Sequence, residues 1–97
     1  MRYRIFHNQT AMFWRPYEPG DVLVPGYEGD TGESVFPLAL SLRDRARYEA
    51  EIVFRIHNMD DRPDGRTAPS LSVGDVVVFG EVALSVDRFG WKEVSLG

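Results

Sequence analysis

Apolar and polar positions are patterned most legibly in residues 70–97, and the pattern predicts three strands joined by two tight turns. Positions 76–79 (Val-Val-Val-Phe) are apolar throughout, so this strand buries both faces and belongs in the middle of a sheet. Gly80-Glu81 fits a two-residue hairpin loop with glycine at the first central position, as a type II′ turn requires. Val82, Leu84 and Val86 alternate with Ala83 and Ser85, the period of a strand with one buried face. Asp87-Arg88-Phe89-Gly90, with aspartate first and glycine last, suits a type I turn into a third strand over 91–96. If Val94, Leu96 and the Lys92 stem face the core, Trp91 shares the outer face with Glu93 and Ser95, next to Phe89. A bulge at Gly90 reverses this and turns Trp91 inward, an arrangement favoured by the general burial of large aromatics.

Upstream, residues 3–6 predict a strand, with Tyr3 and Ile5 alternating against arginines. Residues 7–10 are turn-like, and the apolar run 11–14 pairs back as a hairpin. Two prolines and a glycine make 16–20 a loop. A short strand over 22–24 is closed by Pro25-Gly26, and the glycine-rich acidic stretch 27–34 reads as a surface loop. Residues 36–41 predict another strand, near a sheet edge because of Pro37. The period then changes to that of a helix over 43–58. Ser41 and Asp44 form its capping box, unless Asp44 is itself the cap; Asn58 is its left-handed terminator and Pro63 its stop. Tyr48, Ile52, Val53 and Ile56 form the apolar face, flanked by Ala46 and Ala50; Arg43, Arg47, Glu51 and Arg55 line the opposite side. Gly20-Asp-Val-Leu-Val24 echoes Gly74-Asp-Val-Val-Val78, which reads as convergent turn-to-strand chemistry rather than a repeat. In the second copy Gly74 can take a positive φ and Asp75 can bond the turn backbone.

These elements assemble into one α+β domain over 1–97: N-terminal strands and loops (1–42), a helix (43–58) and the three-strand meander (70–97). The sheet is expected to be mostly antiparallel with five or six strands, and one principal helix covers one face. With 97 residues, 43% of them hydrophobic and 27% charged, the chain has an ordinary globular composition and can build a modest core. The absence of cysteine removes disulfides, thiolate metal sites and a cysteine nucleophile. No apolar run is long enough for a signal peptide or a membrane span, so a cytoplasmic protein is expected. The net charge of −4 argues against a general nucleic-acid binder, whose footprint is a basic face.

Ser70-Leu-Ser-Val-Gly-Asp-Val-Val77 and Ser85-Val-Asp-Arg-Phe-Gly-Trp-Lys-Glu-Val94, with His57-Asn-Met-Asp-Asp-Arg-Pro63 upstream, resemble the YodL-like domain family. The likeness covers about residues 52–94. Arg88 stands where that family often has serine, and residues 1–41 match little of it. The resemblance implies a small bacterial or phage-encoded protein without an established enzymatic activity, so it carries over no catalytic residue.

The residues themselves point the same way. There is no P-loop, no Gly-x-Ser-x-Gly elbow and no Gly-x-Gly-x-x-Gly, hence no catalytic constellation and no expected cofactor. His57, Asp60, Asp61 and Asp64 are metal-ligand types at a spacing that fits helix-end and turn hydrogen bonding better. His7 is isolated. Arg43, Arg47, Arg55, Arg62 and Arg66 are balanced by acids and read as a solvated, salt-bridged face. Phe13 and Trp14 are adjacent, so one of them meets a second layer or marks a homodimer interface. The candidate binding residues are the hairpin aromatics Phe89 and Trp91 with Asp60, Asp61, Arg62 and Arg66 of the charged loop. The leading expectation is a non-catalytic phage- or mobile-element-type protein that binds a host protein in the bacterial cytoplasm. The alternative is a nucleic-acid-associated β module of the PUA or ASCH kind, which shares the Val-Gly-Asp-Val-Val lead-in to a meander.

Overall fold

The computed structural model describes residues 1–10, 15–32, 41–59, 61–63, 65 and 69–96. Five strands and one helix follow in the order β1 (Arg2–Asn8), β2 (Leu23–Asp30), α1 (Leu42–His57), β3 (Val76–Phe79), β4 (Val82–Asp87) and β5 (Gly90–Val94). They form one antiparallel sheet, ordered β2-β1-β3-β4-β5. This is the α+β architecture expected, with five strands.

The sheet carries apolar clusters on both faces. Toward the helix, Tyr3, Ile5, Val77, Phe79, Val82 and Leu84 pack against Ala46, Ala50 and Val53. On the opposite face Val76, Val78 and Ala83 gather with Tyr17, and Phe6, Leu23 and Val94 pack around them. Two covered faces explain why β3 is apolar at every position and why β4 is buried at Ala83 and Ser85 as well as at its valines and leucine. Gly80 takes φ 59°, the positive value that the first central residue of the β3–β4 turn requires.

Helix α1 starts at Ser41, whose hydroxyl accepts a hydrogen bond from the Asp44 amide at 3.1 Å, so the predicted cap forms. Its buried stripe is Ala46, Glu49, Ala50, Val53 and His57. The predicted apolar face is therefore rotated: Tyr48 points to solvent, while Glu49 and His57 lie in the interior. Small residues carry the contact and bring the helix close to the strands, so the bulkiest apolar side chains do not mark the packed stripe. The helix crosses the sheet obliquely. Arg43 and Arg47 reach β5 at Glu93 and the Trp91 carbonyl, whereas His57 meets Tyr3 of β1 at 2.8 Å and makes a tilted ring contact with Tyr27 of β2. Asn58 ends the helix at φ −114°, not in the left-handed region. Its side chain accepts from the Leu71 amide instead, and Arg62 Nε donates to the His57 carbonyl, which caps an orphan acceptor of the last turn.

Two further expectations are corrected. β1 runs on through His7 and Asn8, where the sequence predicts a turn. β2 does not stop at Pro25-Gly26; it passes through a bulge opposite Ile5 and Phe6 and continues to Asp30, so 27–30 is strand rather than loop. Proline is tolerated there because β2 lies at the edge of the described sheet. Trp91 takes the inward placement, on the helix face, without a bulge in the β4–β5 register. The hairpin expected for 11–14 and most of the strand expected for 36–41 lie outside the described residues.

Leu84 is fully buried between helix and sheet. Leu84→Ala is expected to cost about 3 kcal/mol in urea unfolding with an unchanged m-value, and Ser41→Ala about 1 kcal/mol. A Leu84→Ala cost below about 1 kcal/mol would contradict this packing.

Candidate functional site

The first candidate is the β4–β5 tip. Arg88 and Phe89 join the strands with negative φ, and the positive φ (115°) falls on Gly90. That is a type I turn closed by glycine, and it aims Trp91 back toward the helix. Four contacts then brace β5. Trp91 Nε1 donates to Glu51 at 2.9 Å, and the Phe54 ring meets the indole edge-on at 6.2 Å. Arg47 donates to the Trp91 carbonyl at 3.2 Å, and Arg43 pairs with Glu93 at 2.8 Å. Phe89 projects beyond this brace with 99% of its surface in solvent. A single exposed aromatic on a rigid support is the form that interaction anchors take, because a braced hairpin loses little entropy on binding.

The second candidate lies at the same end of the sheet and was not anticipated. Two turns of the same construction flank the end of β1. In one, the Asp21 amide donates to the Glu18 carbonyl and the Glu18 amide donates back to Asp21 Oδ2; in the other, Asp75 and Ser72 make the same reciprocal pair. The glycines before the aspartates take φ 100° and 98°, values open to glycine and costly for other residues. Both aspartates then converge on Asn8. Its amide N–H donates to Asp75 Oδ1 at 2.9 Å, and its side-chain NH2 donates to Asp21 Oδ2 and to the Gly74 carbonyl.

Arg15 completes one side of this network with a two-pronged contact to Asp21 at 2.7 and 2.9 Å. The guanidinium first, and Asn8 second, hold the Asp21 carboxyl well below the usual carboxylate range against the opposing effect of burial, and Asp21 raises Arg15 in return. On the other side His7 Nδ1 lies 3.0 Å from Asp75 Oδ2, so His7 is not isolated. The contact assigns a hydrogen to Nδ1, because a carboxylate oxygen only accepts. An aspartate-oriented imidazole is a component of general-base sites. Here the opposite edge of the ring rests on β2: a Cβ added at Gly26 would sit 2.8 Å from Nε2. Asp75 is also engaged by two backbone amides. The arrangement works as a clasp that ties the end of β1 to the starts of β2 and β3.

Of the residues proposed for binding, Phe89 is exposed as required, and Trp91 is a half-buried part of the brace. Asp61 is exposed, Arg62 is half-buried against the helix end, and Asp60 and Arg66 lie outside the described residues, as does Asp64. The structure does not bring Asp61 or Arg62 into contact with the tip among the described residues. His57 Nε2 faces the Tyr3 hydroxyl, and among the described residues no group of three or more His, Asp or Glu able to hold a metal occurs. No helix there is long and apolar enough to cross a membrane. The signal for the clasp was present as the Gly-Asp-Val echo, but neither copy points in sequence to their shared partner, Asn8.

No family model, curated protein or solved structure matches the chain, so the likeness to the YodL-like family rests on the quoted residues alone.

Asp21 has a depressed carboxyl pKa in the folded state, so its stabilising effect is full above the unfolded value near about 3.9 and is lost as pH falls below it. Asp21→Asn should lower the melting temperature at pH 7, and the gap to the parent should narrow as pH falls from about 4 to about 2. A gap that stays constant over that window contradicts the ion-pair origin. Asp75→Ala strands two amide donors and removes the His7 contact, and is expected to cost about 3 kcal/mol by denaturant unfolding.

Proposed function

We propose that the chain is a non-catalytic module that binds a partner protein through the β4–β5 tip, with Phe89 as the anchor. The observation that carries this reading is the contrast within five residues: β5 is braced to α1 by four contacts, while the aromatic just before it is left wholly in solvent. Exposed Phe89 adds nothing to the core, which leaves it available as an aromatic anchor for a contact outside the chain. Trp91 serves the interaction indirectly, by fixing the hairpin that carries Phe89. The resemblance of residues 52–94 to the YodL-like family supports a phage- or mobile-element-type protein and a partner in the bacterial host cytoplasm. No group in the clasp is poised as a nucleophile, which fits a binding rather than a catalytic role.

Affinity capture from bacterial lysate, with and without nuclease, tests the reading. Phe89→Ala should keep stability within about 0.5 kcal/mol of the parent and lose the captured protein, as a central aromatic worth about 2 kcal/mol or more does. Capture unaffected by that substitution would sink it. Nucleic acid recovered alone, and released by moderate salt, would favour the PUA- or ASCH-like alternative.

A further inference from the structure

Beside Phe89 lies a slot of about 190 Å³ between α1 and the hairpin. Its floor is apolar, made by Phe54, Val86 and Trp91, and its rim carries Glu51, Asp87 and Arg88. A slot this small is below the size of a small-molecule site and suits one large side chain. The slot and Phe89 share one patch of surface, since Arg88 and Gly90 on either side of Phe89 both line it.

We propose that the chain self-associates as a two-fold dimer in which Phe89 of each copy fills the Phe54–Val86–Trp91 slot of the other. A projection and a recess side by side on one surface are what an isologous contact requires, because a two-fold rotation carries each onto its complement. The rim charges agree with that operation. Arg88 makes no ion pair among the described residues, and neither does Glu51 or Asp87. The rotation that seats Phe89 brings the Arg88 of one copy to the acidic rim of the other, twice per dimer. A patch of this extent gives a weak, concentration-dependent dimer rather than an obligate one. The inference does not depend on a host partner. Because both contacts use Phe89, partner and second copy exclude one another.

The test uses the purified chain alone, so it is separate from lysate capture. Sedimentation velocity from about 10 µM to about 1 mM, the range a small interface demands, should show the parent moving from one chain toward two. Phe89→Ala should remain a single chain throughout. Arg88→Glu and Glu51→Arg should each weaken association at least about tenfold, and an equimolar mixture should associate more tightly than either variant alone, because both cross-copy contacts in the mixed dimer are then attractive. Since the chain has no cysteine, proximity can also be read directly. Arg88→Cys mixed with Glu51→Cys should form a mixed disulfide in preference to Arg88→Cys mixed with Glu18→Cys. A parent that stays monomeric at the highest concentration, association that survives Phe89→Ala, or equal cross-linking in both mixtures would each overturn the proposal.

Discussion

The sheet depends on Asn8. It closes β1 at the point where β2 and β3 both begin, and those two strands flank β1 without any local connection to each other. Pairing strands so distant in sequence is entropically costly, and the register of such a pair slips easily unless something pins it. The two Gly-Asp turns supply the pins. Each delivers a carboxylate to the same asparagine, one to its backbone amide and one to its side chain, so the starts of β2 and β3 are aligned against a single residue. Arg15 and His7 then occupy the outer sides of the carboxylates, and the loop carrying Arg15 is brought over the second face of the sheet, where Tyr17 donates its amide to Ser85.

That loop matters because the sheet needs cover on two sides. The helix protects one face through alanines and a valine, and it reaches sideways to β5 with Arg43, Arg47 and Glu51. These side contacts also blunt an edge of the described sheet, since the Trp91 carbonyl and Glu93 are occupied by arginines and Lys92 adds charge. At the other described edge, β2 carries Pro25 and a bulge, which discourage strand addition by a different route. With both of these edges guarded, the tip rather than a strand is the feature that projects among the described residues.

How much of this was legible depended on whether the signal was local. The meander was readable because its turns are written in glycine and aspartate at fixed offsets, and β3 because an all-apolar run admits few alternatives. The Ser41 cap was readable for the same reason. Trp91 could be assigned to either face, since a sheet with two covered faces gives alternation no outer side to point to. The helix face was misread because Ala46, Ala50 and Val53 pack closely while Tyr48 is left outside, and size alone favours the tyrosine. β2 was cut short at Pro25-Gly26 because a bulge is set by its partner strand, which the local sequence does not show. The clasp is not legible at Asn8 and His7, because Asp75, the partner they share, lies more than sixty positions away.

The tip illustrates how stability and recognition are divided in this fold. If Trp91 were the exposed aromatic, losing it would disturb the hairpin and the helix contact together, and binding could not change without cost to folding. Here the indole is spent on the brace and the phenyl ring is free of it. Gly90 makes the division possible: its positive φ lets the chain reverse direction between the two aromatics that flank it, sending Trp91 to the helix and Phe89 to solvent. A side chain at that position would strain the turn, and the two rings would no longer be held to separate tasks. The contact surface can therefore vary at Arg88 and Phe89 while the glycine, the indole and its carboxylate partner keep the support unchanged.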